Sequence, residues 1–282
     1  MANRKLDMGM AWTQATGLIG SNRDTISAIA GLLFFLPALA LALFAPELTN
    51  PPPAAPADAD PQVAFQAMMD QVTRAYSDNW LLFAAMTIAQ FVGSLSLLAL
   101  LTDRSRPTVR EALQAGLTSL PSYLGAQILS AIMVALIIGI PLGLIAAAGS
   151  PMVAVLAGIV LVLIGLYVFV KFTLIAPVIA IDGERNPVKA LTRSWRLTKG
   201  NSFRIAAFLL LLFFTIGIIA ALVSGILGLV LSALGSDIAT IGIGVVNAAV
   251  NTGIGVIFLV VIAAVHRQLA GQSPEGVAAT FE

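Results

Sequence analysis

Long apolar segments dominate the pattern of hydrophobic and polar positions along the chain. A helix rises about 1.5 Å per residue, so about twenty apolar residues cross a hydrocarbon core of about 30 Å. Strands of a barrel would alternate apolar and polar residues over about ten positions, and these segments do not alternate. They are Ile26–Ala45, Trp80–Leu101, Leu124–Ala147, Met152–Val170, Ile205–Leu231 and Thr240–Val265. The pattern predicts an all-α polytopic protein, a single membrane domain over residues 1–282 with six transmembrane helices.

The composition also favours contact with lipid over contact with water. Hydrophobic residues make up 59% of the 282 positions and charged residues 10%, whereas soluble domains carry about 25% charged residues. The net charge of +1 gives no reason to expect a nucleic-acid partner. With no cysteine and one histidine, thiolate chemistry and His-pair metal sites are excluded from this sequence. We expect no metal, no cofactor and no enzymatic activity.

Lysine and arginine are distributed unevenly among the segments that connect the predicted spans. Cytoplasmic segments of membrane proteins are enriched in these cations. If the amino terminus is inside, thirteen of the fifteen cations fall on the cytoplasmic side. The distribution predicts that both termini, including a short tail over residues 268–282, are cytoplasmic.

The longest predicted external connection covers residues 46–79. It begins with a proline-rich tract between Pro51 and Pro56, which is typical of a stiff, extended segment. Apolar residues then recur at helical spacing, which predicts a short amphipathic helix on the outer surface. They are Phe65, Met68, Met69, Val72 and Tyr76.

Similar segments precede each odd-numbered span. The sequence from Ala11 to Asn22 aligns with that from Ala190 to Asn201, and Glu111–Leu120 fits the same frame more weakly. The alignment predicts three pseudo-repeats, each an interfacial helix followed by a helical hairpin, over residues 8–102, 107–182 and 186–270. An even number of spans per unit gives parallel rather than inverted repeats.

The third interfacial helix carries the candidate lipid contacts. Asn186 is a good N-cap, and Pro187 suits the first helical position. Four cations share one arc of the helix: Lys189, Arg193, Arg196 and Lys199. They fit two interpretations, ordinary positive-inside anchoring or recognition of anionic lipid at about 1 kcal/mol per cation. Lys171, at the end of the fourth span, either extends to the headgroups along the surface or contacts a lipid phosphate or substrate.

Polar residues inside the spans form two further groups. Span two carries Thr87, Gln90 and Ser94, and span six carries Asn247 and Asn251. Buried amides of this kind hold helices together, and the alternative is a polar pathway for a solute or lipid headgroup. We expect Pro141 and Pro177 to kink their helices, because proline removes a backbone donor. His266, where span six ends, is expected to be an interfacial side chain.

A signature between Lys171 and Gly200 resembles a known family. It comprises Lys171–Ala180 with Pro177, the acidic residues Asp182 and Glu184, and the basic helix that contains Ser194-Trp195-Arg196-Leu197. The pattern is similar to the glycerophosphoryl diester phosphodiesterase membrane-domain superfamily, which includes the YciC-type inner-membrane proteins. The resemblance implies a bacterial inner-membrane location. It also implies a stand-alone membrane domain, because the sequence has none of the metal-site motifs of the soluble phosphodiesterase domain.

Four functions remain open from the sequence. The leading hypothesis is a non-catalytic integral membrane protein that contacts phospholipids and supports envelope or lipid homeostasis. The second is a transporter or channel for a small or lipidic substrate, although no span contains a buried carboxylate of the kind that marks ion paths. The third is an enzyme acting on lipid, for which the sequence offers no nucleophile–base pair. The last is a scaffold for a partner membrane protein, or a homo-oligomer.

Overall fold

The computed structural model describes residues 5–44, 60–101, 108–147 and 151–271, and every regular element among them is a helix. The predicted proline-rich tract and most of the predicted tail lie outside these residues. The helices are α1 (Met8–Ala30), α2 (Leu36–Phe44), α3 (Pro61–Asp78), α4 (Trp80–Leu100), α5 (Val109–Val134), α6 (Ile140–Ala147), α7 (Pro151–Phe172), α8 (Ile175–Ala180), α9 (Pro187–Thr198), α10 (Ser202–Ser232) and α11 (Ser236–Ala270).

Among the described residues, six helical segments are long and apolar enough to cross a membrane. They are Met8–Phe44, Trp80–Leu100, Val109–Ile145, Val155–Ala180, Ser202–Ser232 and Ile238–Ala270. Large apolar side chains are exposed on the outer faces of α7 and α10, such as Val162 at 71% and Leu211 at 64%. Water would not stabilise so extensive an apolar surface. The predicted all-helical membrane fold with six candidate spans is confirmed.

Prolines coincide with the irregular turns of the spans. A π-helical turn over Gly31–Phe35 joins α1 to α2, and another over Ala135–Gly139 joins α5 to α6. Each ends two residues before a proline, Pro37 or Pro141. Proline has no N–H for the carbonyl four residues earlier and its ring crowds that carbonyl, so the helix widens there.

Pro177 is associated with a complete break rather than a widened turn. Helix α7 ends at Phe172, α8 begins at Ile175, and Leu174 between them has φ −93° and ψ 8°. In a regular helix, the carbonyl of Thr173 would accept a hydrogen bond from the N–H of residue 177. Proline has no N–H, and Thr173 lies within the break. The short helix α8 is then buried in the bundle through Ile175, Val178 and Ile179.

The segments predicted to be interfacial helices differ in how they join the spans. In the first unit, α1 continues through a bend at Asn22, with φ −126° and ψ 17°. In the second, α5 runs without interruption through Pro121. Only α9 ends before its span begins, because Gly200 adopts a left-handed φ of 82° that favours glycine. Two of the three predicted interfacial helices are therefore continuous with their spans.

The amino-terminal segment closes the bundle against the last helix. Helix α1 packs along α11, and the backbone N–H of Asp7 donates to Gln268 Oε1 at 2.9 Å. The N–H of Leu6 donates to Asn201 Oδ1 at 2.9 Å, and Arg204 donates to the carbonyl of Leu6. These bonds satisfy backbone groups that would otherwise be buried without partners. They join the first residues described to both α10 and α11.

Candidate functional site

Helix α9 is the element that assembles the candidate site. The Asn186 side chain accepts hydrogen bonds from the N–H groups of Val188 and Lys189, at 3.0 and 3.1 Å. Pro187 occupies the first turn, where its missing N–H costs nothing. The sequence therefore fixes where α9 begins, and Gly200 fixes where the chain turns away from it.

Helix α9 packs on the middle of α5 and on the carboxyl end of α7. At its start, Pro187 packs so closely on Gly125 of α5 that a Cβ added there would lie 2.9 Å from the proline ring. Farther along, the Ser194 hydroxyl donates to the carbonyl of Lys171 on α7 at 2.6 Å. Ala190 and Ser194 are both fully buried, and their small side chains permit this close packing. Helix α9 is thus held at both ends.

Lys171 is enclosed between aromatic rings beneath α9. Its side chain is 2% exposed, and Nζ lies 5.1 Å from the Tyr167 ring centroid and 5.3 Å from that of Trp195. Cation–π contacts of this length stabilise an ammonium group by about 0.5–2 kcal/mol. Lys199 is exposed at the carboxyl end of α9, and no carboxylate among the described residues forms an ion pair with either lysine. We call Tyr167, Lys171, Trp195 and Lys199 the α9 site.

The sequence favoured a Lys171 side chain that extends to the lipid headgroups. In the structure, the side chain is instead enclosed between the aromatic rings. The aromatic rings supply the partner that a cation near the end of a span requires. Contact between Lys171 and a lipid phosphate remains a prediction. Lys189, Arg196 and Lys199 are exposed, so their proposed contact with headgroups remains a prediction as well.

Arg193 has a different environment from the other cations of α9. Its Nη2 lies 2.7 Å from Asp182 Oδ2, and the Asp182 side chain is 4% exposed. The same oxygen lies 3.0 Å from His266 Nε2, and His266 is fully buried. The expectation that His266 is an interfacial side chain is therefore wrong, because the residue is inside the bundle and holds a carboxylate.

The Asp182–Arg193–His266 cluster joins α9 and the segment before it to the last helix. Asp182 follows α8, Arg193 lies on α9 and His266 lies near the end of α11. Sequence reasoning missed the cluster because its members share no helical periodicity; the only signal was a single histidine next to a cationic helix end. Among the described residues, no group of three or more His, Asp or Glu side chains is placed to hold a metal ion. We interpret the cluster as a structural contact, an internal brace that holds these elements together.

A groove lies between α5 and α7, and α8 and α11 complete its lining. Its volume is about 740 Å³. Tyr123, Gln127 and Ser130 line the α5 side, and Phe169 and Phe172 line the α7 side. Gln127 Nε2 donates to the Tyr123 hydroxyl at 3.2 Å, and the Ser130 hydroxyl lies 3.4 Å from Gln127 Oε1. These polar residues do not stand out in the sequence, because they are interspersed among the apolar positions of a span.

The polar span residues that the sequence did single out lie elsewhere. Thr87, Gln90, Asn247 and Asn251 are exposed, and Ser94 is half-buried, with its hydroxyl bonded to the Gln90 carbonyl at 2.7 Å. None of the five lines the groove between α5 and α7. Their proposed role, as contacts between helices or as a polar pathway, remains a prediction that does not involve this groove.

Comparison with known proteins supports the family resemblance. Comparisons with curated proteins and with solved structures find no match. A family model does match part of the chain. The match begins in the π-helical turn before α6 and ends with α11, so it includes Lys171, α9 and the Asp182–Arg193–His266 cluster. Residues 138–270 match the family described as the membrane domain of glycerophosphoryl diester phosphodiesterase, which confirms over this segment the resemblance predicted from the sequence.

Proposed function

We propose that the protein is a non-catalytic integral membrane protein that contacts phospholipids through the α9 site and supports envelope or lipid homeostasis. The observation that carries the proposal is the enclosure of the Lys171 ammonium between the Tyr167 and Trp195 rings, under a helix whose other cations are mostly exposed. Cations concentrated on one helix repel one another, and an anion bound among them offsets that repulsion. A lipid phosphate supplies such an anion at this depth.

The position of the cations within the chain supports recognition over general anchoring. If the first unit is aligned with the third, Gln14, Gly17 and Gly20 occupy the places of Arg193, Arg196 and Lys199. In the second unit the same places are taken by Ala115, Thr118 and Pro121. General anchoring would serve all three units equally. The cations at these positions instead occur in the third unit alone.

The proposed organisation in three pseudo-repeats rests on burial and backbone geometry. Small residues recur at two positions four residues apart, and all six are buried: Ala11 and Ala15, Ala112 and Gly116, Ala190 and Ser194. The aligned residues Asn22 and Asn201 have similar dihedral angles, with φ −126° and −120°. Each unit would then place a tightly packed helix against the preceding hairpin, with α1 closing the ring on α11.

The proposed location is the bacterial inner membrane, with both termini and α9 in the cytoplasm. The asymmetry of lysine and arginine supports this orientation, and the family resemblance supports the membrane. On the opposite side, the apolar residues Met68, Met69 and Val72 of α3 are exposed. We propose that α3 lies on the outer membrane–water interface through these residues.

Lipid selectivity of the purified protein tests the proposed function. Phosphatidylglycerol and phosphatidylcholine are titrated separately into the detergent-solubilised chain, and native mass spectrometry counts the lipids bound. We expect a preference for phosphatidylglycerol that Lys199→Met weakens about fivefold, since one cation near a membrane surface contributes about 1 kcal/mol. Lys171→Met is expected to weaken the preference at least as much.

The control removes an exposed cation from a different helix. Arg110 of α5 is exposed and lies one unit away from α9 in the proposed repeat, so Arg110→Met is expected to leave the preference unchanged. Equal binding of the two lipids by the unmodified chain would contradict the proposal. An equal loss in Arg110→Met and Lys199→Met would show general attraction rather than a site.

A further inference from the structure

The groove between α5 and α7 changes chemically with distance from α9. Pro187 of α9 packs on Gly125, and Gln127 lies two residues farther along α5, which corresponds to about 3 Å. Ile138 also lines the groove, and its separation of thirteen residues from Gly125 corresponds to about 20 Å. Along α5, the polar lining residues therefore lie nearer to the contact with α9, and the apolar ones lie farther from it.

A glycerophospholipid presents the same order of chemical groups. Its phosphate carries the negative charge, its ester carbonyls lie just below the phosphate, and its hydrocarbon chains continue into the membrane. The α9 site offers cations at the first level, and Gln127 offers an amide at the second. Val134, Ile138 and Phe169 offer apolar surface at the third. The groove volume of about 740 Å³ lies within the range of about 300–1,000 Å³ typical of ligand pockets.

We infer that the groove between α5 and α7 holds one acyl chain of the phospholipid whose headgroup lies at the α9 site, with the ester carbonyl facing the Gln127 amide. The inference rests on the proposed function and names the part of the lipid that the groove takes. Phe172 connects the two parts, since it lines the groove and its ring lies 6.0 Å from that of Trp195.

The hydrogen bonds around Gln127 explain how an ester is accommodated. The amide has two N–H groups, and one of them donates to the Tyr123 hydroxyl. The Ser130 hydroxyl donates to the backbone carbonyl of Gln127 at 2.9 Å and lies 3.4 Å from the amide oxygen. The second N–H is then available to a carbonyl in the groove, where an unpaired polar group would otherwise face hydrocarbon.

Photolabelling from the acyl chain tests the inference directly. The full chain is reconstituted in vesicles of phosphatidylcholine with a minor fraction of phosphatidylglycerol that carries a diazirine in one acyl chain. Labelled positions are mapped by peptide mass spectrometry after irradiation. We expect labelling of residues 130–138 and 165–173 several-fold above labelling of the outer face of α10. If the groove and the outer face of α10 are labelled equally in the unmodified protein, that result is sufficient to overturn the inference.

Two matched variants separate the groove from the surrounding lipid. Ala131 lines the groove, and Ala221 is exposed on α10, so Ala131→Phe and Ala221→Phe add the same volume to two spans. We expect Ala131→Phe to reduce groove labelling several-fold and Ala221→Phe to leave it unchanged. Unchanged labelling in both variants would overturn the acyl-chain inference.

The headgroup preference shows which proposal fails. If phosphatidylglycerol is still preferred over phosphatidylcholine and Lys199→Met still weakens that preference, while labelling is even, the proposed function stands and the groove inference is wrong. If the preference is absent, the proposed function fails and the inference fails with it. Gln127→Leu provides a second readout, because it is expected to weaken binding of phosphatidylglycerol and of phosphatidylcholine by the same factor.

Discussion

Arg193 and Lys199 lie on the same basic arc of α9, yet their surroundings differ. Arg193 pairs with a carboxylate that is 4% exposed, whereas Lys199 is exposed. Replacement of each by methionine removes the charge and keeps an unbranched stem. We predict that Arg193→Met lowers stability and leaves lipid preference unchanged, whereas Lys199→Met does the reverse.

The expected loss in Arg193→Met follows from the geometry of the pair. Breaking a buried ion pair by removing one partner costs about 3–5 kcal/mol, because the other charge remains buried. The lower end applies here, since the Arg193 side chain is 42% exposed and is therefore screened by solvent. His266 also continues to bond Asp182. A loss of about 3 kcal/mol corresponds to a fall in the melting temperature of about 6–12 °C.

Thermal unfolding followed by intrinsic tryptophan fluorescence measures this change. The chain contains three tryptophans, which supply the fluorescence signal. It contains no cysteine, so a thiol-reactive dye would not report on its unfolding. Lipid preference is measured in parallel by native mass spectrometry. If Arg193→Met melts at the temperature of the unmodified protein, the Asp182–Arg193–His266 cluster is not a brace. If Arg193→Met also abolishes the phosphatidylglycerol preference in a protein that remains folded, Arg193 contacts lipid after all.

Two further predictions concern packing within the bundle and between copies of it. A Cβ at Gly116 would lie 2.8 Å from the Val92 carbonyl oxygen, so Gly116→Ala is expected to lower the melting temperature by several degrees; overpacking costs about 1–3 kcal/mol. Gly17→Ala, where nothing lies within 4 Å, is the control, and an equal fall in both would refute the steric explanation. Asn247→Leu combined with Asn251→Leu is expected to shift a self-associated form of the protein toward monomer, because exposed amides in a span favour partners with amide or hydroxyl groups. Analytical ultracentrifugation in detergent measures the change, and a monomeric unmodified chain would contradict it.

Much of the fold was predictable because lipid imposes a simple constraint. Every backbone polar group in hydrocarbon needs an internal partner, so long apolar runs such as 205–231 become helices and their boundaries follow from hydropathy. The start of α9 was predictable from Asn186 and Pro187, because capping is a local interaction. The junctions were less predictable. Helix α5 continues through Pro121, since tertiary packing decides whether a proline interrupts a helix or is accommodated.

The candidate site was predictable only in part. The cations of α9 were evident from their arc, but their different roles depend on Asp182 and His266, which are separated by 84 positions in the chain. A sequence pattern shows which residues lie on the same side of one helix. It does not show which residues of other helices those residues contact. The groove was not predictable for the same reason, because Gln127 and Phe169 come together only when α5 and α7 pack.

Single-cysteine labelling tests the membrane arrangement most directly. The chain has no cysteine, and Thr73 of α3 and Thr192 of α9 are both exposed, so Thr73→Cys and Thr192→Cys form a matched pair. We predict that a membrane-impermeant maleimide labels Thr73→Cys in intact spheroplasts and labels Thr192→Cys only after the membrane is permeabilised. Labelling of both positions in intact spheroplasts would place α3 and α9 on the same side and contradict the account.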